Sequence, residues 1–148
     1  MRIGNGYAQI RNNDDDNIVI GGIDLLSGET TNVVCLRDAA AMAVADSILG
    51  AAALGDMNTM QAGEKDSSQL LREVEKKIHY AGWKINNIDL TIILEKERVI
   101  GLKNEIAQNF AENLFINIEQ VSIKVVDQAE SEPAYGVCYS STLLESRE

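Results

Sequence analysis

The stretch from Ala43 to Asp56, AVADSILGAAALGD, constrains the fold of this chain more than any other segment. Small side chains dominate it, and they let a helix approach a sheet or a neighbouring chain closely. Its apolar residues run nearly all round rather than along one stripe, so the helix is expected to be buried on more than one side. Asp38 can cap it, accepting from the free N–H groups at the start of a helix that runs from Ala39 to about Leu54.

The other elements follow from periodicity and turn chemistry. Asp66 followed three residues later by Gln69 is a capping-box pattern, and it opens a second helix that ends at Gly82. Leu70, Leu71, Val74, Ile78 and Ala81 form its apolar stripe, and Arg72, Glu73, Glu75, Lys76 and Lys77 its solvated face. In the segment from Ile88 to Glu95 the apolar residues Ile88, Leu90, Ile92 and Leu94 alternate, which predicts a strand with one strongly buried face. Ile106, Phe110 and Leu114 stand at helical spacing in a third helix from about Leu102 to Leu114. Two strands close the chain, Val121 to Val126 and Tyr135 to Leu144, on either side of a loop with the only proline, Pro133. Near the start, residues 2 to 10 and 18 to 23 are apolar-rich and flank RNNDDDN, whose side chains favour turns, so they are expected to pair as a β-hairpin. The sum is one α/β sandwich over residues 1 to 148, a mixed sheet with three helices on one face.

A chain of 148 residues with 45% hydrophobic and 24% charged residues can bury a full core. Its formal net charge of -10 argues against nucleic acid and anionic membrane as partners, because both are bound chiefly through Lys and Arg. Cys35 and Cys138 lie far apart, in no metal-binding spacing, and read as reduced, partly buried thiols. The N-terminus lacks the basic-then-apolar pattern of a secretory signal, and no segment is as long as a membrane span, so a cytoplasmic location is expected. The single histidine, His79, falls off the stripe of the second helix and reads as a surface residue. Asp14, Asp15 and Asp16 lack the glycine and distal glutamate of a calcium loop. Ser140 and Ser141 have no histidine base near them in sequence.

Four blocks in order, RIGNGYAQIR, AVADSILGAAALGD, DSSQLLREV and NIDLTII, resemble the 2-C-methyl-D-erythritol 2,4-cyclodiphosphate synthase family of the non-mevalonate isoprenoid pathway. The resemblance runs from Arg2 to about Leu144. It implies that family's fold, a homotrimer, and a reaction in which one phosphate of a cytidine diphosphate derivative attacks the next and expels CMP. It also implies a zinc ion, held by the Asp and His of the family's opening RIGHGYDVH and by a His ahead of the first helix. The matching positions here are Ala8, Ile10 and Val34, and Met42 replaces a further histidine.

The nucleotide segments differ as well. Where the family has A-Q-x-P-K, this chain has Leu94, Glu95, Lys96, Glu97 and Arg98, so Arg98 is the candidate replacement for the lysine. Where the family has K-A-T-T-T-E, it has Lys124, Val125, Val126, Asp127, Gln128 and Ala129. Asp127 or Glu130 is the candidate replacement for the metal-binding glutamate. The F-P-D-T-D substrate loop is shortened to MNTMQAGEK, and the G-F-T-G-R-G-E-G turn has become ESEPAYG. Asp56 remains, either as a contact to a substrate hydroxyl or as a turn carboxylate. The expectation is a catalytically degenerate homologue with no catalytic residues and no cofactor. It would act as a trimeric binding, regulatory or scaffold protein, as a homotrimer or in a heterotrimer with an active paralogue. The alternative is an active cyclase with a magnesium or zinc site rebuilt from Asp56, Arg98, Asp127 and Glu130.

Overall fold

The computed structural model describes residues 1–10, 17–128 and 136–148. In chain order the elements are β1 (Arg2–Gln9), β2 (Val19–Ile20), β3 (Ile23–Asp24), α1 (Ala39–Ala52), α2 (Ser67–Tyr80), β4 (Trp83–Leu94), the short α3 (Lys96–Val99), α4 (Lys103–Leu114), β5 (Val121–Asp127) and β6 (Val137–Ser146). The main sheet has the order β1-β6-β4-β5, with β6 antiparallel to both neighbours and β5 parallel to β4. It is therefore mixed, and α1, α2 and α4 pack on one face of it.

The alternation in β4 is borne out: Ile88, Leu90, Ile92 and Leu94 are all buried. The strand begins earlier than its apolar pattern does, at Trp83. Its partners supply the rest of the inner face with Val121 and Ile123 from β5 and with Cys138, Ser140, Thr142 and Leu144 from β6.

The small-residue helix lies closest to the sheet. A Cβ on Gly4 would stand 2.1 Å from the Ser47 carbonyl oxygen, and one on Gly6 1.9 Å from that of Ala43. Neither position can hold a side chain, because helix backbone occupies the space. At that separation Ser47 Oγ reaches the hydroxyls of Ser140 at 2.9 Å and Thr142 at 2.7 Å, which satisfies three buried polar groups together.

Both predicted caps form. Asp38 accepts from Ala41 N at 3.0 Å and Asp66 from Gln69 N at 2.8 Å. The second helix ends at Tyr80, and Gly82 follows with φ +91°, a conformation that costs glycine nothing. Its stripe is buried at Leu70, Leu71, Val74 and Ile78, but Ala81 is exposed, because it lies past the last helical turn.

The expected hairpin of residues 2–10 with 18–23 does not form. β1 pairs with β6 along its whole length, and β2 pairs with β3 through the Gly21-Gly22 turn. A strand with Gly4 and Gly6 against α1 finds its partner where α1 already sits, over β6, and sequence proximity does not compete. The RNNDDD turn and Pro133 lie outside the described residues. Cys35 and Cys138 are free thiols and fully rather than partly buried. Among the described residues no helix is long and apolar enough to cross a membrane.

Candidate functional site

The last residues of β1, β4 and β5 meet at one end of the sheet, since the register runs Gln9, Val137, Ile93 and Val126 across it. Ile10 continues from β1, donates its N–H to the Gly136 carbonyl at 2.8 Å and is buried at 3% exposure. Leu94 lies beside it; a Cβ on Gly136 would touch both Ile10 and Leu94. Ala8 is half-buried opposite Cys138. Val34 is exposed and bridges to Asp66 at the start of α2, while Met42 packs against the core from the first turn of α1.

Zinc is bound through sulfur, nitrogen or oxygen lone pairs. The side chains of Ala8, Ile10 and Val34 carry none of these atoms, so they do not fit the ion. Among the described residues no group of three or more His, Cys, Asp and Glu is placed to hold a metal.

Arg98 and Asp127 come together in one loop cluster. Asp127 Oδ1 accepts from Lys96 N at 2.9 Å, Gln128 N donates to the Leu94 carbonyl at 3.1 Å, and Arg98 pairs with Glu95 at 3.2 Å. Asp127 thereby anchors the first turn of α3. Asp56 belongs to a different corner. Its Oδ1 accepts from Asn58 N at 2.9 Å and from Thr59 N at 3.2 Å, the geometry of a turn carboxylate. The neighbouring Met57 N donates to Asp46 Oδ1 at 2.9 Å, which ties this loop to the middle of α1. The structure therefore does not join Asp56 to Arg98 and Asp127 within one chain, and Glu130 lies outside the described residues. His79 is exposed, edge-on to Tyr80. Ser140 is committed to Ser47, and Ser141 donates to Asn5 Oδ1 at 2.8 Å.

Sequence reasoning found Asp38 as a helix cap but missed its bonds to two other segments. Besides capping α1, Asp38 accepts from Gly21 N at 2.8 Å, Gly22 N at 2.7 Å and Ser67 Oγ at 3.0 Å, and it is completely buried. Burial pushes its pKa up, while these donors favour the ionised form. The other side of the same turn is held by Asn109, which donates to the Gly21 carbonyl at 2.7 Å. Only the Gly-Gly pair hinted at a turn that something grips. Asp46 is half-buried, and burial, followed by the nearby Asp56 charge, raises its pKa. Burial pushes the Cys35 thiol up as well, and Cys35 Sγ donates to the Ala62 carbonyl, a packing role.

Residues 1–134 match the model of the YgbB family. The chain belongs to that family. It is 35% identical over 130 residues to the 2-C-methyl-D-erythritol 2,4-cyclodiphosphate synthase of Pseudomonas syringae pv. tomato, covering 84% of this chain and 83% of the relative. It is 32% identical over 157 aligned positions to the enzyme of the same name from Cellvibrio japonicus, covering 99% of each chain. The fold matches a solved 2C-methyl-D-erythritol-2,4-cyclodiphosphate synthase in a CDP-bound form, with a TM-score of 0.84 and 19% identity over 97% of this chain and all of that one. The resemblance carried by the four sequence blocks is thus correct, and so is the fold it implied. YgbB-family membership leaves the site residues to be read from the geometry above.

Proposed function

We propose that this YgbB-family chain is a catalytically degenerate homologue of the cyclodiphosphate synthases, a single-domain cytoplasmic protein that works through trimeric assembly and binding. One observation carries the reading. At the positions aligned with the family's metal ligands stand Ala8, Ile10 and Val34, and Ile10 is buried within the hydrocarbon core. Cyclisation of a diphosphate has to neutralise phosphate charge. Here the loop cluster that aligns with the nucleotide segment sets the three carboxylates Glu95, Glu97 and Asp127 against the two cations Lys96 and Arg98, a net negative charge that disfavours phosphate. The protein would then need no metal cofactor. Its partners would be further copies of itself or an active paralogue whose sites it alters from a shared trimer.

Elemental mass spectrometry of the purified protein, with calorimetric titration of CDP and CMP in the presence of zinc and magnesium, tests this directly. No metal and no nucleotide affinity are expected. Stoichiometric metal together with CDP binding would overturn the reading. A second reading, an active cyclase, draws on the convergence of Arg98 and Asp127 in one loop cluster. It requires magnesium-dependent release of CMP from the family's substrate, and no release at high protein concentration would end it.

A further inference from the structure

A cleft of about 300 Å³ lies where β4 begins, at the end of the sheet opposite Ile10 and Leu94. Its floor is hydrocarbon, made by Ile78 of α2, Ile85 of β4, and Leu114 and Ile116 at the end of α4. Glu75, Lys84, Gln120 and Glu145 stand on its walls. Apolar surface with a few placed polar groups is the make-up of a small-ligand site.

Three of those polar groups are already engaged. Lys84 Nζ lies 3.3 Å from Glu145 Oε1, and Asn86 Nδ2 donates to Glu145 Oε2 at 2.8 Å. Gln120 donates to the Ile85 and Asn86 carbonyls at 3.1 and 3.0 Å and accepts from Asn117 N at 2.9 Å. Glu75 differs. It is half-buried, and among the described residues its carboxylate has no hydrogen bond or ion pair. Since Lys84 and Glu145 cancel, the charge left in the cleft is the negative one of Glu75.

Phe115 also lines the cleft. It ends α4 at φ +57°, a conformation in which a Cβ crowds the backbone and glycine is usual. The residue is 68% exposed, so core packing does not offset that strain. Strain kept with no packing in return points to a contact outside the chain.

A guanidinium on an aliphatic stem meets these features together. Its planar fork gives two N–H donors to one carboxylate, its face stacks on an aromatic ring, and its weak hydration lowers the cost of leaving water. The stem covers the hydrocarbon floor. An anion would be repelled by Glu75, and a neutral alkyl group would leave that carboxylate without a donor.

We propose that this cleft is a binding site for an alkylguanidinium, with the charge held by Glu75 and the ring of Phe115 and the stem laid on Ile78, Ile85, Leu114 and Ile116. The site lies away from the end of the sheet aligned with the family's metal ligands, and it depends on neither reading of the function.

Titration of n-butylguanidinium into the isotope-labelled full chain, followed by two-dimensional NMR, tests it. Saturable shifts are expected at Lys84, Ile85, Phe115 and Ile116, with a Kd of about 1 mM for a ligand of this size. n-Butanol, which keeps the stem without the charge, should bind about tenfold more weakly, and butyrate should not bind. Glu75→Gln is expected to weaken binding about tenfold, while Glu105→Gln, which removes the same charge elsewhere, binds as wild type does. Phe115→Gly should raise the thermal midpoint and weaken binding severalfold in the same protein, a pairing that a purely structural role for the ring does not produce. No saturable shift at those residues up to about ten times the expected Kd would overturn the site. Undiminished binding to Glu75→Gln and Phe115→Gly would overturn it too, and n-butanol binding as tightly as the cation would leave only an apolar slot. The blocked peptide acetyl-Gly-Arg-Gly-amide separates the sources of the group. Shifts at the same residues support a site open to a partner protein's arginine, and binding of the free cation alone supports a site for a small ligand.

Discussion

Asp38 and Asp56 flank the same helix, and their surroundings could hardly differ more. Asp38, ahead of α1, is wholly buried and takes hydrogen bonds from the β2–β3 turn, from α1 itself and from the start of α2. Asp56, beyond the other end, is exposed, and among the described residues its carboxylate accepts only from residues two and three positions on. A buried carboxylate is tolerated only when its lone pairs are met, so Asp38 fixes the relative placement of three segments. An exposed one can serve its local turn and carry no further obligation. The comparison teaches that a buried carboxylate in this chain is kept where several segments bond to it, while the end of the sheet around Ile10 and Leu94 is packed with hydrocarbon.

The largest effect that could break this contrast is expected from Asp38→Ala. It strands four donors in the core, and urea denaturation should show a loss of about 4 kcal/mol or more, enough to unfold a marginal domain. A loss under about 1 kcal/mol would mean that Asp38 organises little. Ser67→Ala removes one of the four bonds and sharpens the same point. It should cost about 2 kcal/mol, as hydrogen bonds to charged groups do, with the helix content seen by circular dichroism unchanged.

The smallest effect belongs to Asp56. Because burial and Asp56 raise the pKa of Asp46 in the folded state, the native protein binds more protons there than the unfolded chain. Stability should therefore fall as pH rises from the ordinary carboxylate range through the raised value of Asp46, and level off above it. Asp56→Asn keeps an oxygen for the turn and removes the charge, so the Asp46 carboxyl signal in an NMR titration should move to lower pH and the stability decline should shrink. An unmoved Asp46 titration would detach Asp56 from α1 electrostatically.

Much of the fold was legible along the chain. The alternation of Ile88, Leu90, Ile92 and Leu94, the caps at Asp38 and Asp66, and the spacing of Ile106, Phe110 and Leu114 are local signals, and each produced the expected element. The hairpin expectation failed because pairing in a sheet is a long-range choice. Gln9 finds Val137 across most of the chain, and turn-formers after residue 10 carry no record of that partner. Ala81 failed for a smaller reason, since stripe periodicity does not mark the last bonded turn. At the site, the absence of metal-binding atoms at Ala8, Ile10 and Val34 could be read from residue type alone. That Asp127 caps the turn beginning at Lys96, and that Asp56 stands in another corner, could not.

The sequence by itself determined the family, the three main helices and the buried alternation of β4, because these depend on residue identity and on spacing within a few turns. Only the tertiary structure decided which strand β1 pairs with, that Asp38 ties three segments together, and that among the described residues one Asp89 oxygen is shielded without a donor. Those outcomes depend on which distant groups share a dry environment, where an unmet hydrogen bond is costly and an exposed hydrocarbon surface seeks cover.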